Sequence, residues 1–250
     1  MKKIVLFIAF VFVLNSCEKP SDCVESTGAT TTKDVEVLPF KRIKVYQGIE
    51  VVITKGTAYK VQIQAGENFI DNIEVQQNGD QLIFKDDVSC NWVRAYGTTK
   101  ILVTTPTLEE IYSKTDRNIS SNGVLAFPKL KVYSLDKDGD GEKGAGTGDF
   151  ILNITNCDSL HVESNNVSRF YLSGDATYAK LFFSFGDGRI EAENLLAQKI
   201  EVYHRGSNDM IVHPVQSIVG VMNSTGNIIL KNVPPIDNVQ QLFTGHEVYP

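Results

Sequence analysis

From Lys33 onward the chain alternates apolar and polar residues with a period of two. Ile43 and Val45 form one such run, and Ile49, Val51 and Ile53 form the next. Val61 with Ile63, Ile73 with Val75, Leu82 with Phe84, and Ile101 with Val103 continue the pattern. Alternation over four to eight residues predicts half-buried β-strands. Gly48, Gly56 and Gly66 punctuate the runs, and Asn78-Gly79 ahead of Asp80 predicts a tight hairpin over residues 73–84. Residues 192–199 are the only stretch of helical propensity and are too short to form a helix that matters. All eight prolines lie outside the alternating runs, as expected of a residue that cannot donate to a ladder.

The second half repeats. Leu108, Leu130, Leu160, Leu181, Ile200, Ile218 and Val239 start successive units at intervals of 22, 30, 21, 19, 18 and 21 residues. A second apolar position follows in each unit: Ile119, Phe170, Ile190, Met210, Ile228 and Val248, with Phe150 displaced by an insertion. Between the two lie turns such as Gly186-Asp187-Gly188 and Thr225-Gly226-Asn227. One unit cannot bury its apolar face alone, whereas units stacked about 4.8 Å apart can. The expected fold is therefore all-β: a right-handed parallel β-helix (β-solenoid), with the N-terminal strands packed on it or capping it.

The first residues read differently. Met1-Lys2-Lys3 precedes eleven apolar residues, Ile4 to Leu14. That is too short to cross a bilayer but fits the apolar region of a secretory signal. Leu14-Asn15-Ser16-Cys17 resembles the lipobox of bacterial lipoproteins, in which cleavage before the cysteine leaves a thiol that is acylated. Ordinary signal cleavage is the alternative. Residues 18–32 are rich in Ser, Thr and Gly and read as a tether. The expected organisation is a signal peptide over 1–16, a lipidated Cys17 and tether over 17–33, and one domain over 34–250. A lipid on Cys17 makes the membrane the first partner.

Charge and chemistry narrow the function. With 24 Lys and Arg against 30 Asp and Glu, the net charge is −6. There is no basic run, which excludes a nucleic-acid partner. Cys23, Cys90 and Cys157 match no zinc spacing, and Cys157 reads as a small buried hydrophobe. His161, His204, His213 and His246 lie on different units and read as surface or turn residues. Gly139 to Gly144 fits G-x-G-x-x-G, but no helix follows to hold a pyrophosphate. Asp136, Asp138 and Asp140 with Gly141 reproduce the first half of a calcium loop, while position 12 is Thr147. The loop reads as a solvated acidic segment, with calcium the alternative and no other cofactor indicated.

Residues 40–56, from Phe40-Lys41-Arg42-Ile43 through Gly48-Ile49-Glu50-Val51 to Thr54-Lys55-Gly56, resemble the opening of the auto-transporter adhesin head GIN domain family, common among Bacteroidetes lipoproteins. The family's recurring Ser-Gly-x-Gly-Asp turns are echoed in Gly146 to Asp149, Ser184 to Asp187 and Asn223 to Asn227. The resemblance covers about residues 34–250. It implies a parallel β-helix, a cell-envelope location and either an adhesin or a lipid-binding role. It offers no catalytic residue to carry over.

Two functions of different class follow. The first is a non-enzymatic outer-membrane lipoprotein that binds a glycan or protein ligand, with neither membrane face specified. The second is a polysaccharide-active enzyme on a β-helix scaffold, since fold alone does not decide function. If the first and third places of each unit face inward, the second and fourth face out. Those places carry Tyr133, His161, Phe182 and Tyr203. Either these rings form a contact surface, or the N-terminal strands fold over them and bury a second core.

Overall fold

The computed structural model describes residues 26–86, 99–136 and 146–250. The signal, Cys17, Cys23, Cys90, Asp138 and Asp140 lie outside the described residues. Nine strands of four to seven residues come first: β1 (Thr30–Val35), β2 (Arg42–Val45), β3 (Glu50–Lys55), β4 (Lys60–Gly66), β5 (Ile73–Asn78), β6 (Gln81–Asp86), β7 (Lys100–Thr105), β8 (Glu110–Ser113) and β9 (Ile119–Leu125). Then come β10 (Lys129–Ser134) and four long strands: β11 (Phe150–Ser164), β12 (Arg169–Phe183), β13 (Arg189–His204) and β14 (Met210–Met222). Short β15 (Ile228–Leu230), β16 (Ile236–Gln241) and β17 (Glu247–Val248) end the chain. The expected hairpin is β5 and β6, with Asn78 opposite Gln81. Its turn relies on Gly79 at φ +60°, which a side chain disfavours. Residues 192–199 lie inside β13.

The seventeen strands of the described residues join one hydrogen-bonded sheet, which wraps into a nearly closed barrel around a single core. This corrects the expected parallel β-helix with separate N-terminal strands. The N-terminal strands belong to the same sheet as the rest. β2 and β8 continue the sheet beside β10, while β1, β4 and β5 enter it through antiparallel pairs. The second strand of one expected unit also runs unbroken into the first strand of the next, giving continuous strands of 13–16 residues. They bend at bulges instead of stopping. In β11 the register slips between Ile154 and Cys157, where Asn156 takes φ +51° and its N–H donates to Asp175 Oδ1 at 3.0 Å. A bulge bends a strand without ending its ladder, and alternation alone does not reveal it.

Neighbouring long strands pair in parallel, but not in the expected alignment. Leu160 faces Ala179 and Val162 faces Leu181. Val202 faces Leu181, Gly220 faces Val202, and Val239 faces Gly220. Leu181 and Val239 therefore occupy third places, two residues away from the assigned starts. The even shift keeps them on the core side, since parity alone decides the face. Gly220 has φ +138° and a Cβ there would stand 2.0 Å from Val202 O, which explains the missing side chain. The other core column is Phe150, Phe170, Ile190, Met210, Ile228 and Glu247. Its last member is Glu247 and not the expected Val248. Phe150 and Phe170 stack at 4.7 Å.

One corner of the core is polar. Asn166 Nδ2 donates to Ser134 O at 2.8 Å, and Ser168 Oγ donates to Gly146 O at 2.9 Å. These buried groups therefore have partners, as burial demands. His204 sits in the same region and is fully buried, against the expectation of a surface or turn histidine. Its Nδ1 accepts the Gly206 N–H at 3.3 Å, while among the described residues Nε2 has no partner. Burial pushes its pKa down to about 4. Cys157 is a buried free thiol, pushed up to about 11 chiefly by burial.

Candidate functional site

The register sets the outer face of β8, β10, β11, β12 and β13. One outward column runs through Tyr112, Tyr133, Glu163, Phe182 and Tyr203. The adjoining column holds Glu110, Lys131, His161, Lys180 and Glu201. All four sequence-predicted residues, Tyr133, His161, Phe182 and Tyr203, thus reach one face. The corrected alignment moves Phe182 into the column of Tyr133 and Tyr203, and sets Lys180 beside His161. Tyr133 lies 5.8 Å from Tyr112 and 5.6 Å from His161, and Phe182 stacks on Tyr203 at 4.6 Å with 14° between ring planes.

Tyr133, His161, Phe182 and Tyr203 are each half-buried. A second core would need Tyr133, Phe182 and Tyr203 buried, and each is partly exposed; only at the β8 end of the column is a ring buried, Tyr112, with Lys44 Nζ of β2 over it at 5.1 Å. A stacked pair turns its ring faces toward each other and its edges outward. The ladder therefore offers a ridge of aromatic edges and polar tips, not a flat ring platform.

Sequence reasoning missed the polar part of the face. Tyr178 hydrogen-bonds to Glu201, and Lys180 Nζ donates to Glu201 at 2.7 Å. The bond from Lys180, then that from Tyr178, holds the Glu201 carboxyl below its usual range. Burial and the same carboxylate push Tyr178 up to about 12. His161 Nε2 meets Glu163 Oε2 at 3.0 Å. Burial, then Glu110 and Glu163, raise Tyr133. The signal for these partners was the strand register, which a repeat misread by two residues conceals. The cluster is internally paired, and it holds no unpaired base beside a nucleophile.

The other expected positions diverge. Among the described residues, no three metal-capable side chains converge. Asp136 is held by its own N–H, which donates to Asn165 Oδ1 at 3.0 Å. A series of charged and polar residues also meets at the starts of β13, β14 and β15. Arg189 Nη1 reaches Asp209 Oδ2 at 3.0 Å, and Asp209 Oδ1 accepts the Asn227 N–H at 2.9 Å. The series ends at His246, whose N–H donates to Asn227 Oδ1 at 3.0 Å, beside the pairing of Glu247 with Ile228. No described helix is long and apolar enough to cross a membrane.

No curated protein matches the chain. A crystal structure described as a putative adhesin from Bacteroides fragilis is 26% identical, with a TM-score of 0.75 over 89% of this chain and 97% of that one. Another described as a putative adhesin, from Parabacteroides merdae, is 16% identical, with a TM-score of 0.57 over 90% and 98%. A third, described as a putative lipid binding protein from Parabacteroides distasonis, is 15% identical, with a TM-score of 0.61 over 89% and 98%. The last two bear on the fold alone. The resemblance read from residues 40–56 extends through most of the sequence: a family model matches residues 39–234, and the chain belongs to the family described as "Putative auto-transporter adhesin, head GIN domain".

Proposed function

We propose that the chain is a non-enzymatic, adhesin-like binding module of the bacterial cell envelope, and that the outer aromatic ladder is its contact surface. The observation that carries this reading is the partly exposed ladder itself: Tyr133, His161, Phe182 and Tyr203 in register on one face, interleaved with Glu163, Lys180 and Glu201. Rings with few rotors, flanked by charges of both signs, suit a protein surface, where aromatic anchors supply most of the binding energy. Family membership and the adhesin-named relative from Bacteroides fragilis support the same reading. Binding of the purified protein to arrayed extracellular-matrix proteins tests it. Wild type binds, and Tyr133→Ala with Tyr203→Ala abolishes binding while the circular dichroism spectrum stays unchanged. Unchanged binding by that variant refutes the ladder as the contact surface.

The anchor belongs to the same proposal. Acylation of Cys17, behind an eleven-residue apolar run and ahead of a Ser/Thr/Gly-rich tether, would hold the domain just off the outer membrane. Cys17→Ala is expected to move the protein from the membrane fraction to the soluble one. Persistent membrane association contradicts the anchor. Calcium at Asp136, Asp138 and Asp140 is tested by calorimetric titration, where the absence of heat at millimolar calcium ends that reading.

A further inference from the structure

Beside the bulges, on the other half of the long strands, the outer surface is concave. A shallow groove of about 600 Å³ crosses β9, β11, β12 and β13 and is lined by Ile151, Asn153, Tyr171, Ser173, Glu191 and Asn194, among others. Three inter-strand steps make it roughly 14 Å long across the strands. Its chemistry differs from that of the ladder. Tyr171 is 38% exposed, and no ring stacks on it among the described residues. In register it is flanked by Ile151 and Glu191. The side chains of Asn153, Ser173 and Asn194 hydrogen-bond to no other described group, so their donors and acceptors are open to a ligand. Gly123, at φ +82° with nothing within 4 Å of a notional Cβ, leaves one end of the groove open.

The charges at the groove are acidic. Glu191 is held by Arg189 Nε at 2.5 Å, and Glu193 stands at the lip, 3.9 Å from Lys231 Nζ. No Lys or Arg lines the groove, which disfavours an anionic ligand. An unstacked ring, amides that can bond paired hydroxyls and a serine hydroxyl together match a pyranose, which has an apolar face and a hydroxyl rim. From these features we infer that the groove binds an uncharged oligosaccharide laid across the strands, with one sugar ring on Tyr171. Glu191 and Glu193 are two places apart on one strand, side by side and not on opposite sides of a bound chain. Glycoside hydrolysis needs carboxyls that flank the bond, so the groove holds its ligand and does not cleave it. The inference rests on the binding-module reading but uses a different surface from the ladder.

The test is an array of neutral oligosaccharides (β-glucan, mannan and N-acetylglucosamine oligomers) beside acidic ones (polygalacturonate, heparin), probed with the purified full chain. Wild type is expected to retain at least one neutral series and no acidic one. Tyr171→Ala and, separately, Asn194→Leu each weaken that binding tenfold or more, while Tyr133→Ala with Tyr203→Ala leaves it unchanged. Having two groove variants guards against one that fails to fold. No neutral glycan retained, or loss only in the ladder variant, overturns the groove while leaving the protein-binding test of the ladder intact. Release of reducing ends from a bound oligosaccharide overturns the claim that the groove does not cleave.

Discussion

The short-strand region, β1 to β9, and the long-strand region, β11 to β14, share one alternation but use it differently. In the first, strands of four to seven residues end at sharp turns, and parallel and antiparallel pairs mix. In the second, strands of 13–16 residues bend at bulges and pair only in parallel. Gly48 and Gly79, both at positive φ, serve turns, whereas Asn156 and Gly174 serve bulges. The consequence is functional. Parallel strands in register repeat one outward position every 4.8 Å or so, which builds a ladder and a groove. Pairs of mixed direction do not repeat a position in that way.

Substitutions can break or sharpen this contrast. The largest effect is expected at the core of the long-strand region. Phe170 is fully buried between Phe150 and Phe183, and Phe170→Ala should cost about 4 kcal/mol in urea unfolding. Phe84→Ala, equally buried in the short-strand region, should cost a similar amount if one core unites both regions. A much smaller loss at Phe84 would separate them.

His204 comes next. Its folded pKa lies near 4, below the ordinary value of about 6.5. The unfolded chain therefore binds a proton first as pH falls. The contribution is fully present above pH 6.5 and is lost toward pH 4, by about 3 kcal/mol in all. Replacing it as His204→Met, after its column neighbour Met222, should flatten that step in a pH series of unfolding curves. Glu247 acts with the opposite sign. Burial, then Asp237, push it up to about 7 from 4.5, so its contribution is present below pH 4.5 and lost as pH rises through 7. Glu247→Gln should remove that loss and stabilise the protein near neutrality.

Gly220→Ala meets both a positive φ and the Val202 carbonyl and should cost about 2–3 kcal/mol. The smallest expected effect is at the surface. Breaking the Arg189–Asp209 pair, whose side chains are 20% and 26% exposed, should change stability by about 1 kcal/mol or less, as measured by a double-mutant cycle.

Much of this was legible in the sequence. Parity placed Leu130, Val132, Leu160, Val162, Ile200 and Val202 on the core side, and all are buried. The same parity put Tyr133, His161, Phe182 and Tyr203 on the outer side. Strand continuity was not legible, because a bulge at Asn156 and a turn at Gly186 draw on the same residue types. Between the long strands, register was legible only modulo two: Leu181 in place of Ala179 satisfies every hydrophobic test. Hence the partners of Glu201, the place of Glu247 in the core column and the groove around Tyr171 came only from the fold. His204 escaped because its neighbours Phe183 and Met222 are brought beside it by pairing and not by sequence.

The most direct test measures stability and binding on one preparation of the Tyr133→Ala, Tyr203→Ala protein. An outer contact surface predicts that binding to the matrix-protein array is abolished while urea unfolding shifts by about 1–2 kcal/mol, the loss of half-exposed ring contacts. A loss of several kcal/mol would make the ladder part of the core, and undiminished binding at near-native stability would place the contact surface elsewhere.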